Sequence, residues 1–217
     1  MQSSQFSGLR FSLLSSAVMA AGLALALTGT PAMAETEKAI FAGGCFWCME
    51  EAFDKIDGVQ ETISGYSGGH TKNPTYEQVG GEGTGHAEAV EVTFDNDKVS
   101  YKDLLYVFWR NIDPFVANRQ FCDEGESYRS ALFPLNDQQQ ELAEASKADM
   151  AQRFDQPIVT EITSAGPFYP AEDYHQNYHN TNPIRYTFYK NACGRPDRLK
   201  QIWGDEAMPH EVPHAAS

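Results

Sequence analysis

The segment FAGGCFWCMEEAF, residues 41–53, constrains the fold more than any other stretch of this 217-residue chain. An apolar run, KAIFA at 38–42, reaches Gly43-Gly44, and helix-compatible spacing follows from Cys45 to Phe53. The run reads as a buried strand. A strand that passes to a helix through two glycines commits the chain to layers of both element types. Cys45 then sits at a helix start, where unpaired N–H groups and the dipole favour a thiolate. Glu50 and Glu51 oppose this by like charge, so a further activating group is expected nearby.

The alternation continues along the chain. GVQETISGY (58–66), EAVEVTF (88–94), SALF (130–133) and PIVTEI (157–162) read as strands. Ser100 can cap a helix through YKDLLYVFWRNI, ended by Asp113-Pro114. Asp137 opens the longest helix, to about Phe154. Pro170 opens a short helix over AEDYHQNYH, and helical spacing returns at RLKQIWG. Between these lie two long loops, 67–85 with six glycines and Pro74, and 115–129. Long loops in compact domains are usually functional. The expected class is α+β, a mixed sheet with helices packed on it.

The N-terminal segment is set apart. Residues 1–34 carry one charge, Arg10, then AVMAAGLALAL, then TGTPAMA. Ala32 and Ala34 form an A-x-A signature, so cleavage before Glu35 and export, to a compartment such as the periplasm, are expected. A membrane anchor is the competing reading, but the apolar core is short and no charged stop-transfer flank follows. Residues 35–217 suit a single domain. The formal net charge of −14 argues against a nucleic-acid partner.

Four cysteines follow the leader: Cys45, Cys48, Cys122 and Cys193. In an oxidising compartment they could form two bridges, by any of three pairings. For Cys45 and Cys48 three readings compete. Buried cysteines often serve only as small apolar side chains. Metal binding needs a second pair of similar spacing, and Cys122 and Cys193 lie far apart. A redox or nucleophilic pair is the favoured reading.

Glu88 has a register argument. Positions 88, 90, 92 and 94 share one face of their strand, as Glu, Val, Val and Phe. A carboxyl at the end of an apolar face is desolvated and can keep its proton, as a general acid must. A solvated strand tip is the other reading of the same pattern.

Several motifs, in order, resemble the A-type peptide-methionine sulfoxide reductases. GCFW resembles that family's nucleophile motif, and SGYSGGHTKNPTYEQV, GTGHAEAVEVTFD, LLYVFWRNIDP, CDEGESYRSALF and FYPAEDYHQNY follow its sequence along most of the chain. The resemblance implies a ferredoxin-like core within an α/β sandwich. It implies Cys45 as nucleophile and Glu88 as catalytic acid. Tyr76 and Tyr128 would hydrogen-bond the sulfoxide oxygen, Asp123 would line the pocket, and Phe46 and Trp47 would hold the substrate methyl group. It further implies reduction of the S epimer of methionine sulfoxide, free or in proteins. No cofactor is implied; a thioredoxin-like protein or other external dithiol would recycle the enzyme.

The chain departs from that family in its cysteines. Many members have Gly at the position of Cys48 and resolve through a glycine-rich tail. Here the tail is YKNACGRPDRLKQIWG. Cys48, one turn from Cys45, is the expected resolving thiol; Cys193 is the rival, and a structural Cys122–Cys193 pair is a further option. His175 and His179 have metal-ligand spacing on one helix, with Glu172 before them, but no second ligand set appears, so no metal is expected. An exported thiol–disulfide oxidoreductase and a non-catalytic, disulfide-stabilised binding domain remain the alternative functions.

Overall fold

The computed structural model describes residues 36–164 and 166–213, all within one compact unit, Ala34–Ser217. The expected export signal lies outside them. In chain order the elements are β1 (Thr36–Gly43), α1 (Phe46–Asp54), β2 (Val59–Ser67), α2 (Tyr76–Gly80), β3 (Ala87–Asp95), α3 (Tyr101–Trp109), β4 (Arg119–Gln120), β5 (Asp123–Glu124), β6 (Ser130–Phe133), α4 (Asp137–Arg153), β7 (Glu161–Ile162), β8 (Tyr169–Pro170), α5 (Tyr178–Thr181), α6 (Pro183–Ala192) and α7 (Arg195–Trp203). Among the described residues no helix is long and apolar enough to cross a membrane.

Six strands form one mixed sheet in the order β7-β6-β1-β3-β2-β8, and β4 pairs only with β5. All pairings in the large sheet are antiparallel except β6 with β7. The α+β expectation holds. The alternation read in β3 decides which face is the core. Val90, Val92 and Phe94 join Ala39 and Phe41 of β1 beneath α1 and α3. Phe41 meets Phe53 and Phe108 at ring-centroid distances of 4.7 and 5.7 Å. Rings of this kind each contribute about 1.5–3 kcal/mol on burial. Ala87 and Ala89 face the other side, with Ile40, Ala42 and Phe133.

Helix starts follow local chemistry. Ser100 caps α3 as expected, and Asp103 completes a capping box. Asn136 caps α4, which begins at Asp137 as expected.

Four sequence expectations are corrected. The first long loop holds α2, which opens on a Thr75-x-x-Gln78 capping box. The 157–162 strand shrinks to Glu161–Ile162, because only those residues reach the edge of β6. AEDYHQNYH is not one helix. A 3₁₀ turn over Asp173–His175 and the short α5 are separated by Asn177, whose φ of 54° breaks helical geometry. The region before RLKQIWG, with no expected element, forms α6, entered through Asn182-Pro183 with proline in its first turn.

Candidate active site

The turn from β1 into α1 builds the site. Gly44 has φ +78°, and a Cβ there would lie 2.4 Å from the Gln120 side chain, so only glycine fits. Cys45 follows as the N-cap of α1, 5 % exposed. The first free amide of the helix, on Phe46, donates to Glu88 Oε2 at 3.0 Å. Glu88 pairs with Tyr66 in the β2–β3 register and is 3 % exposed, so it faces inward. Burial pushes its carboxyl up to about 8, although the Phe46 amide favours the ionised form.

Cys45, Phe46, Trp47, Tyr76, Glu88, Asp123 and Tyr128, all anticipated in the sequence, line one small cavity of about 70 Å³. Tyr189 of α6 lines it too and was not anticipated. Its hydroxyl donates to Asp123 Oδ2 and also reaches Cys45. Tyr76 and Tyr128 lie within hydrogen-bond reach of each other. Burial pushes Tyr76 up to about 12 and Tyr128 higher, so both stay protonated donors.

The segment around residues 172–178 backs this pocket. Glu172 accepts from the Tyr76 amide and from the Tyr66 hydroxyl, each at 2.9 Å, and so straps α2 to β2. His175 packs against Phe46 and Tyr76 at 5.0 and 4.4 Å. Its Nδ1 accepts from Trp47 Nε1 at 3.2 Å. Burial depresses its pKa, consistent with a neutral acceptor. Trp47 stacks on Tyr178 at 3.8 Å. His179, by contrast, faces Asp54 at 3.3 Å. The two histidines therefore do not share a helix face, and neither offers the other a joint ligand position.

A family model described as "Peptide methionine sulfoxide reductase" matches residues 37–207, most of the chain. The chain belongs to the peptide methionine sulfoxide reductase family. It is 54 % identical over 170 residues to "Peptide methionine sulfoxide reductase MsrA" of Bacillus licheniformis, covering 77 % of this chain and 94 % of that one. Identity to MsrA 2 of Rhizobium meliloti is 49 %, covering 80 % and 87 %. Methionine sulfoxide reductase A of Corynebacterium diphtheriae superposes with a TM-score of 0.63 at 35 % identity, covering 72 % of this chain and 78 % of that one. Reduced Mxr1 from Saccharomyces cerevisiae gives 0.65 at 32 %, covering 69 % and 87 %.

Within this family frame the cysteines divide into two unlike pairs. Cys122 and Cys193 are disulfide-bonded, with Cα atoms 5.0 Å apart, whereas Cys45 and Cys48 are free and buried. The pairing left open in the sequence is thus Cys122 with Cys193. It ties the C-terminus of α6 to the residue before Asp123, and both of its sulfurs are unavailable as metal ligands. The bond closes a separation of 71 residues. Cys193→Ala should lower unfolding free energy by about 4 kcal/mol on loop entropy. Urea titration of the oxidised wild type and the variant measures it.

The charges around Cys45 also differ from expectation. Glu51 is held at about 2 against its own burial by Lys190, Lys55 and Tyr186, so its charge is compensated. Glu50 accepts from the Asn177 amide at 2.9 Å, and burial raises it to about 7. Cys45 itself is pushed up, by burial first and then by its hydrogen bond to Cys48. Cys48 is lowered to about 6, chiefly as the acceptor of that bond. The resting nucleophile candidate is a thiol, and the helix start alone does not ionise it.

Proposed function

We propose that this oxidoreductase reduces the S epimer of methionine sulfoxide, free or in proteins, with Cys45 as nucleophile and Glu88 as acid. The observation that carries the reading is convergence. One small cavity holds a free thiol, a carboxyl that keeps its proton, tyrosine donors and aromatic walls. A sulfoxide is a strong acceptor on a soft apolar stem. Tyr76 and Tyr128 suit its oxygen, while Phe46 and Trp47 suit its methyl group.

In this reading Cys45 attacks the sulfoxide sulfur as a thiolate. Glu88 gives its proton to the oxygen, methionine leaves, and Cys45 becomes a sulfenic acid. Asp123 holds Tyr189 against the nucleophile. Cys48, one helical turn away, then displaces water from the sulfenic acid, and an external dithiol of the thioredoxin type reduces the bridge. The S epimer is what the resemblance to the A-type reductases implies, each epimer having its own enzyme type. Export is part of the proposal. It is supported by the leader-like residues 1–34 and by a disulfide of a kind that persists in oxidising compartments.

The test is turnover of a methionine sulfoxide with a dithiol reductant, which an enzyme acting only on protein disulfides would not perform. Cys48→Ser should release one equivalent of methionine and then stop under a thioredoxin-type reductant. Peptide mapping of oxidised wild type should find Cys45 linked to Cys48, with Cys122–Cys193 intact. A dominant Cys45–Cys193 link, with continued turnover of Cys48→Ser, would assign recycling to the tail.

A further inference from the structure

His175 is 2 % exposed, and among the described residues its ring has one polar partner. Nδ1 accepts from Trp47 Nε1 at 3.2 Å. In the neutral ring the proton then lies on Nε2. Nε2 is enclosed, and no protein group among the described residues hydrogen-bonds to it. A buried donor left in this way is costly and calls for a reason. The ring lies 5.0, 4.4 and 4.1 Å from the rings of Phe46, Tyr76 and Tyr174. Phenylalanine would fill that space without the cost. What only the imidazole brings is the acceptor at Nδ1.

That acceptor stands in place before any substrate arrives. The next residue, Gln176, accepts from the Ser64 amide and donates to the Ser64 and Ala171 carbonyls, each at 2.9 Å, so the turn is anchored on β2. Trp47 is held from two directions. Its indole stacks on Tyr178 at 3.8 Å with the planes 8° apart. Stacking fixes the plane of the ring, and the bond to Nδ1 fixes which edge of it faces His175.

The sulfoxide sulfur carries an oxygen, a methyl group and the side-chain carbon. Exchanging the first two converts one epimer into the other. Tyr76, Tyr128 and Glu88 bring protons to the cavity, whereas Phe46 and Trp47 bring aromatic surface. The indole N–H is the one side-chain donor that this aromatic wall possesses. A free N–H there would compete for the sulfoxide oxygen.

We infer that His175 is a specificity-determining positioning residue: by occupying the Trp47 N–H, it keeps the methyl wall free of side-chain donors, so that the oxygen is seated only at Tyr76, Tyr128 and Glu88. The inference rests on the reading of the cavity as a methionine sulfoxide site with Trp47 at the methyl group. With the N–H released, an oxygen can settle against Trp47. That pose suits the R epimer, or the S epimer turned unproductively, and in neither does the oxygen meet the Glu88 proton.

Resolved epimers of methionine sulfoxide test this. The quantities are the half-saturation and saturating rate of methionine release from the S epimer, and the inhibition of that release by the R epimer. His175→Phe keeps the bulk and loses the acceptor. Inhibition by the R epimer, relative to S-epimer half-saturation, should tighten about three- to tenfold, the scale of one hydrogen bond. The saturating S-epimer rate should fall by a similar factor. His175→Asn loses bulk but keeps an amide oxygen close to the place of Nδ1, so it should be the less affected of the two. A packing role predicts the reverse order, because asparagine leaves a void beside Phe46 and Tyr76. In a Trp47→Phe background, which has no N–H to release, His175→Phe should change the epimer ratio by less than about twofold. The wild-type enzyme supplies a readout of its own. Without substrate, the Trp47 indole hydrogen, assigned by its loss in Trp47→Phe, should exchange with solvent at least about tenfold more slowly than free indole. Wild-type selectivity in His175→Phe, a larger loss in His175→Asn, an undiminished shift in the Trp47→Phe background, or exchange at the free-indole rate would overturn the inference. Failure of the wild type to release methionine from either epimer would instead overturn the reading on which it rests.

Discussion

Cys45→Ser should release no methionine from excess sulfoxide, in the presence or absence of a dithiol. Loss of a covalent nucleophile removes the reacting atom itself, so residual activity below about 10⁻⁴ of wild type is expected. Folding should survive. Cys45 occupies the N-cap of α1 without a side-chain cap bond, and serine is among the preferred residues there. Circular dichroism should therefore match wild type while methionine release is absent. Equal release from the variant would place the attacking atom elsewhere in the cavity.

Glu88→Gln should slow the chemical step by about 10²- to 10⁴-fold, the usual contribution of a general acid. The amide oxygen of glutamine can still accept from the Phe46 amide, so the β3–α1 contact at 3.0 Å is kept. The titrating proton is lost. Wild-type single-turnover rates should fall as pH rises through about 8, when Glu88 ionises, and the variant should lack that limb. Stability provides a second reading. The folded carboxyl holds its proton up to about 8, well above an unfolded glutamate. Between those two values the folded state binds the extra proton, so this group's contribution to stability falls as pH rises. Glu88→Gln should flatten that slope, seen as unfolding midpoints less dependent on pH between about 4.5 and 8. An unchanged single-turnover rate would mean that the sulfoxide oxygen draws its proton from another group.

Much of the framework was legible because it rests on short-range patterns. The Val-Val-Phe alternation in β3 identified its buried face, and Gly43-Gly44 announced a helix start at Cys45. The short apolar run 130–133 reads as a strand and forms β6. The lining residues came from the family resemblance, with physical support only for Cys45 and Glu88. What was missed depends on distant partners. Tyr189 and Tyr186 lie on α6, whose half-exposed sequence carries little periodicity. Glu172 has a defined position only because Tyr76 and Tyr66 meet it across the fold. Arg195 in a sequence reads as a surface cation; only the structure reveals it enclosed between Gly43 and Asn111.

The distance along the chain between the two halves of the site has a consequence for how the protein is made. Trp47 meets His175 at a sequence separation of 128, and Glu51 meets Tyr186 at 135. A chain delivered from its N-terminus presents Cys45, Cys48 and Cys122 long before the residues that enclose them. Cys122 has no partner until 71 further residues have emerged, while Cys45 and Cys48 are already neighbours. In an oxidising compartment the Cys45–Cys48 pair is therefore the first that can close, and an early local bridge keeps both sulfurs from capturing Cys122 during synthesis. The thiol spacing proposed for turnover would then also guide correct pairing as the chain folds.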